Sequence, residues 1–384
     1  MFYLTAILFI GLNLAQLIFK QLNIWAATGF WVQICLAVMF SWSFFEKPKY
    51  HLKRNIPLGL LHLWVLVGVA LICYKFQVKG KNAVHFLSYF NFFCVLMFYR
   101  YIQQYLDRVK IEIILEVMRY VVIANLLISV LQIFNLGEFL RLEKAPGVEF
   151  SFCVGFLGNG THLSGFLGMC TPLFFWKMRR EDVGALILML LVMLHTGTAI
   201  NDPSISGYAI TGVLFCYFFK NKPKVIIPVL MVLCFGGIMF FHKIPIKFFL
   251  PQGRVVVWKA YWDKVFIIKP LFGHGVGTVH QIWHKVYPPQ FIEGFWYFIV
   301  DKVHLEYFHF AVELGIIGLI LIINLIRGFF HNTAHDKTEL TLKTIVLGFL
   351  LSCCFNFPAH LWMPSIFVTF AYAGYIQLKD CNEW

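Results

Sequence analysis

The chain has 384 residues, of which 60% are hydrophobic and only 13% charged, with 43 Phe. Water-soluble globular proteins carry about a quarter charged residues, so this composition excludes an ordinary soluble domain and predicts an integral membrane protein. The formal net charge of +13 suits an anionic partner.

Apolar windows near the roughly 20 residues that cross a bilayer core run over 2–19, 24–45, 57–74, 84–99, 112–134, 163–176, 183–199, 205–219, 225–241, 305–326, 341–357 and 359–377. The first has neither a basic start nor a small-residue cleavage site, so it reads as a retained helix. The predicted fold is all-α, a polytopic membrane protein of about twelve transmembrane helices. Its divisions are helices 1–9 in 1–241, a large external loop with amphipathic helices in 242–304, and helices 10–12 with a short tail in 305–384.

Lys and Arg collect in the loops after helices 2, 4, 6, 8 and 10, as Lys47, Lys49, Lys53, Arg54, Arg100, Arg108, Lys110, Lys177, Arg179, Arg180, Lys220, Lys222, Lys224, Arg327, Lys337 and Lys343. The opposite short loops hold only Lys20, Lys75, Lys79, Lys81, Arg141 and Lys144. The positive-inside rule then puts both termini in the cytoplasm and 242–304 outside. Eight of the ten Cys, among them Cys35, Cys94, Cys170 and Cys353, fall in apolar helices. Cys153 alone faces the outer side, so no external disulfide pair is expected.

The loop is basic, with Lys243, Lys247, Arg254, Lys259, Lys264, Lys269, Lys285 and Lys302 against Asp263, Glu293 and Asp301. An external basic cluster points away from nucleic acid and towards an anionic ligand such as a diphosphate lipid. Val255, Trp258, Trp262 and Val265 recur at spacings of three and four, so Arg254 to Phe266 reads as an amphipathic helix on the outer leaflet. The aromatics from Trp258 to Phe298 suit either sugar stacking or anchoring at the interface. Gly273, Gly275 and Gly277 follow no soluble strand, and so read as a tight turn that brings the backbone close to a neighbour or a ligand. His280 and His284 share a helical face near His274, but no carboxylate completes a metal set, and no metal or cofactor is expected. Arg119 and Glu313 are ionisable groups inside apolar segments, which marks each as functional or as a buried tie between helices. His309 reads as packing within its helix. With no nucleotide-binding loop, work must draw on an energised substrate or an ion gradient.

Gly253-Arg254 with Trp258, then Pro270-Leu271-Phe272-Gly273-His274-Gly275-Val276-Gly277, then His304 and Glu313-Leu314-Gly315-Ile316-Ile317-Gly318, resembles the shared core of the O-antigen ligase and O-antigen polymerase superfamily. Gly155-Phe156-Leu157-Gly158-Asn159 and Asn356-Phe357-Pro358-Ala359-His360 are similar to its mid-chain helix entrance and its penultimate-helix ending. The resemblance spans about residues 150 to 375. One departure is the turn around 195–207, which lacks the family's second Arg.

The resemblance implies a GT-C-like glycosyltransferase of the bacterial inner membrane, with its large periplasmic loop between helices 9 and 10. Such an enzyme moves a polyprenyl-diphosphate-linked glycan to an acceptor hydroxyl, with inversion and without a metal. Arg254 would stabilise the departing diphosphate through its paired donors, and His304 would take the hydroxyl proton. Arg141, Lys144, Lys247 or Lys302 would supply the second cation, and Asn159, Trp258, His274 and Glu313 would complete the substrate site. The missing Arg favours a surface-polysaccharide polymerase; the alternative is a ligase that attaches the glycan to lipid A-core. The expected partners are this donor, a glycan or lipid A-core acceptor and membrane lipids, with room for a chain-length regulator. A transporter or flippase of lipid-linked sugars is the competing class, although it would set its ionisable groups near the bilayer midplane.

Overall fold

The computed structural model describes residues 2–18, 24–43, 45, 48, 50, 56–75, 82–134, 136, 153, 155–157, 159–196, 205–222, 254–279, 282, 286, 303, 305–356 and 358–382. For 16–18, 24–26, 56, 68–75, 82–87, 205, 254–256 and 380–382 it describes the backbone alone. Among these residues the fold is all-helical. Its helices are α1 (Phe2–Ile18), α2 (Ile24–Ser43), α3 (Ile56–Lys75), α4 (Asn82–Tyr105), α5 (Arg108–Ile133), α6 (Gly160–Cys170), α7 (Pro172–Lys177), α8 (Arg180–Leu194), α9 (Ile205–Phe218), α10 (Arg254–Lys264), α11 (Glu306–His331), α12 (Lys337–Cys353) and α13 (Trp362–Asn382). Short 3₁₀ turns lie at Gly155–Leu157, Phe266–Ile268 and Pro358–His360. Among the described residues two helices, Arg108–Ile133 and Glu306–His331, are long and apolar enough to cross a membrane.

Each predicted window coincides with helix, except 225–241, which lies outside the described residues. The window at 163–176 is divided between α6 and α7 because Pro172 has no amide hydrogen to continue the ladder. Side-chain oxygens of Asp107, Asn159 and Asp336 accept from backbone amides of α5, α6 and α12, satisfying donors that helix starts leave open.

One core runs through α1, α2, α4–α8, α12 and α13, with Phe9 edge-on to Phe367 and Phe370 and Phe367 edge-on to Phe166. Outward faces are apolar too. Tyr3, Ile7, Ile10 and Leu14 on α1, Val183, Ile187, Leu191 and Leu194 on α8, and Ile316, Ile320 and Ile323 on α11 are all exposed. Cys153 is fully buried. Its segment folds over the end of α5, where Gln132 Oε1 accepts from Gly155 N at 2.8 Å and Asn125 Oδ1 from Phe156 N at 3.1 Å.

Charges gather at one end of the bundle. Arg108 reaches Asp336 at 2.5 Å, Glu116 accepts Lys177 at 2.6 Å and Arg179 at 2.7 Å, and Lys379 reaches Glu339 at 2.8 Å. Lys343 donates to the carbonyls of Phe330 and Asn332, where α11 ends and its dipole favours a cation. Asp336 lies at this surface: burial would raise its carboxyl, but the Arg108 guanidinium holds it below the usual carboxylate range. Arg119 is 3% exposed and bonds Asp182, itself 1% exposed, with Glu116 3.0 Å away. It is thus a tie between α5 and α8.

Removing one member of a buried ion pair strands the other charge, at about 3–5 kcal/mol, whereas apolar replacement of both is far milder. Arg119→Ala and Asp182→Ala are each expected to lower the thermal unfolding midpoint in detergent sharply, and Arg119→Met with Asp182→Leu to recover most of it. Mild single variants would mean that the pair does not hold these helices together.

Candidate functional site

The site is built on a break in α11. Gly315 has φ +68 and ψ −175, a conformation essentially restricted to glycine. An uninterrupted helix would bond the amides of Ile316, Ile317 and Gly318 to the carbonyls of Val312, Glu313 and Leu314. Here other groups take those places. His274 N donates to Val312 O at 3.0 Å and Gly275 N to Glu313 O at 2.7 Å. Trp64 Nε1 donates to Leu314 O at 3.0 Å. In return Ile316 N donates to Pro270 O at 2.8 Å and Ile317 N to Leu271 O at 3.3 Å.

Two sequence motifs are therefore one object. The 270–277 loop is the backbone partner of the 313–318 helix break, and the neighbour that its glycines approach is α11. A Cβ on Gly273 would lie 2.4 Å from Glu313 O, and one on Gly315 would lie 2.3 Å from Leu271 O. The Trp64 ring stacks on Phe272 at 5.6 Å, closing the break from the α3 side.

Helix α10 packs over this junction. Tyr261 and Val265 pack with Val279, Val286, Val303 and Val312. Trp262, expected on a face that lies on the outer leaflet, is 48% exposed, and Tyr261, outside that expected stripe, is 0% exposed. The helix lies on protein, which shifts its inward face one residue, and it ends at Lys264 with a 3₁₀ turn from Phe266. Trp258 Nε1 donates to Val303 O at 2.9 Å, and Lys264 Nζ to Val286 O at 2.8 Å.

Of the residues expected to form the site, His304, Lys302, Arg141, Lys144 and Lys247 lie outside the described residues. Arg254 opens α10, and its side chain lies outside them too. Trp258, His274 and Glu313 meet around the loop–helix junction. Asn159 instead caps α6, its Oδ1 accepting from Thr161 N at 2.8 Å, so it has a structural occupation. His274 Nε2 lies 2.8 Å from Val265 O, and its carbonyl accepts from Thr278 Oγ1 at 2.8 Å. Burial lowers the His274 imidazole, with Lys269 adding to the effect and the Val265 carbonyl opposing it. His280 and His284 lie outside the described residues.

Beneath the loop is a cluster that the sequence reading missed. His309, taken there as packing, has Nε2 3.2 Å from Glu313 Oε1, and Val279 N donates to that same oxygen at 3.2 Å. The His360 ring lies tilted against His309 with ring centroids 4.3 Å apart, and its Nδ1 lies 2.7 Å from Oε1 of the fully buried Glu306. The i, i+4 spacing of His309 and Glu313 on α11 was a usable signal; His360 reaches them from the turn after α12. Beside this turn a cleft is lined by His162, Phe166, Ser352, Asn356 and Pro358.

Compared with known proteins, the sequence matches no family model and no curated protein.

Gly315→Ala and Gly273→Ala are each expected to destabilise the protein by at least about 1–3 kcal/mol, the cost of forcing a side chain into such backbone. Because they face one contact, the double variant should cost less than the sum; strict additivity in thermal unfolding would separate the two glycines. His274 gives a pH dependence. Its pKa is lowered in the folded state, so its contribution to stability is present above the ordinary value of 6.5 and is lost as pH falls below it. His274→Gln should flatten the thermal midpoint between about pH 6.5 and 5 relative to the parent chain; unchanged curves would show that His274 does not titrate this loop.

Proposed function

We propose that the chain is a polytopic membrane glycosyltransferase of about twelve transmembrane helices that acts on the extracytoplasmic side. It would take a glycan from a polyprenyl diphosphate and pass it to an acceptor hydroxyl. The apolar stripes exposed on α1, α8 and α11 support a lipid-facing surface, since soluble monomers rarely expose such continuous patches. The charged end of the bundle holds the basic loops that the positive-inside rule assigns to the cytoplasm, which leaves the loop junction at the opposite, outer end.

The observation that carries the reading is the bond from Trp258 to Val303 O. Trp258 follows Arg254 by one helical turn, and Val303 immediately precedes His304, so this bond ties together the two segments that bear the proposed guanidinium and imidazole. The acceptor oxygen attacks the anomeric carbon as the bond from that carbon to the diphosphate oxygen breaks, with inversion. The hydroxyl proton passes to His304, and the charge left on the diphosphate is met by Arg254. The acceptor we favour is another lipid-linked glycan, which makes the product a lengthened surface polysaccharide.

Arg254→Ala and His304→Ala should each lower product formation by about 10²-fold or more while the protein still reaches the membrane; full activity in both variants would remove the assignment. Deleting the gene and analysing surface glycan separates the acceptors. A single repeat on the anchor supports the polymerase, a bare anchor with accumulated lipid-linked polymer supports a ligase, and unchanged glycan overturns glycosyl transfer.

A further inference from the structure

The imidazole and carboxylate cluster beneath the loop has a geometry that hydrogen bonding does not explain. His309 is 2% exposed and Glu306 is 0% exposed, yet neither ring nitrogen of His309 and neither oxygen of Glu306 makes a hydrogen bond. The atoms are close: 3.2 Å from His309 Nε2 to Glu313 Oε1, and 2.7 Å from His360 Nδ1 to Glu306 Oε1. They are near, but not aligned for N–H···O. One ligand-type atom from each of His309, Glu313 and His360 lies within 4.8 Å of the other two. Around a tetrahedral ion with bonds of roughly 2.0–2.2 Å, neighbouring ligand atoms sit about 3.3 Å apart, close to the His309–Glu313 separation.

Charge argues the same way. Two buried carboxylates face two imidazoles, and among the described residues no Lys or Arg pairs with Glu306 or Glu313. Burying uncompensated carboxylates costs several kcal/mol each. Protonating both rings would set two cations side by side, since the ring centroids are 4.3 Å apart. A divalent ion neutralises both carboxylates while leaving both imidazoles neutral, the form in which they ligate.

We propose that His309, Glu313 and His360 bind one zinc-class divalent ion. Glu306 stands behind His360 as the carboxylate that orients the ring and leaves Nε2 for the metal. Two nitrogens and one carboxylate oxygen suit zinc better than calcium or magnesium, which prefer all-oxygen sets. The ion fastens the first turns of α11 to the Pro358–His360 turn between α12 and α13, and so holds the outer mouth of the bundle. The ion has no part in the proposed glycosyl transfer; Glu313, which the resemblance sets in the substrate site, is assigned here to the metal instead, and metal binding is tested separately from that reading.

The test uses the full chain purified in detergent, stripped with a chelator and titrated with Zn²⁺ and with Co²⁺ as a spectroscopic probe. The expected result is saturable binding of one ion per chain, visible Co²⁺ bands of tetrahedral intensity, and a higher thermal midpoint with metal. His309→Asn, Glu313→Gln and His360→Asn should each abolish the Co²⁺ bands, and Glu306→Gln should weaken binding by about 10–100-fold. His360 is partly exposed, so its variant is the one that should remain monodisperse. No saturable binding by the parent chain, or parental stoichiometry in folded His360→Asn, would overturn the site.

Discussion

A helix that breaks inside apolar surroundings leaves carbonyls and amides without water to bond, at several kcal/mol for each group left open. The end of the bundle around the 270–277 loop depends on how that cost is avoided at Gly315. Three carbonyls before the break are taken by His274 N, Gly275 N and the Trp64 indole, and two amides after it reach Pro270 and Leu271. Because every bond is backbone to backbone or to a fixed indole, loop and helix have one register. The positions of Glu313, of the loop glycines and of α10 above them all follow from it.

The two ends of the bundle follow different electrostatics. At one end Arg and Lys meet carboxylates in a network across α5, α7, α8, α12 and α13, partly open to solvent, with Arg119 and Asp182 buried beneath it. At the other end, among the described residues, Glu306 and Glu313 have imidazoles and no Lys or Arg as ion-pair partners. The first arrangement carries its own counter-ions and acts as structure. The second is short of positive charge, which is how a site that receives a cation differs from one already neutralised.

Much of the helical skeleton was legible as runs of apolar residues, because hydropathy and helix propensity are local. Even the interruption near Pro172 was written in one residue. The face of α10 was less legible: Val255, Trp258, Trp262 and Val265 share a period that suits a lipid surface, whereas the helix packs Tyr261 inward against Val279 and Val303. The burial of Cys153 was not legible either, since Gln132 and Asn125 hold the amides of Gly155 and Phe156 over α5.

By itself the sequence determined that the chain is helical and rich in apolar residues, that its basic residues alternate between connecting loops, and that glycines recur in the 270–277 and 313–318 stretches. What those glycines are for was decided only by the tertiary structure, because a backbone exchange between residues some forty positions apart leaves no periodic trace. The same holds for His309, Glu313 and His360. Two of them share a helical face that any reader of spacing can find, but the third arrives from the turn after α12, and only the packing of α11 against that turn makes the three into a site.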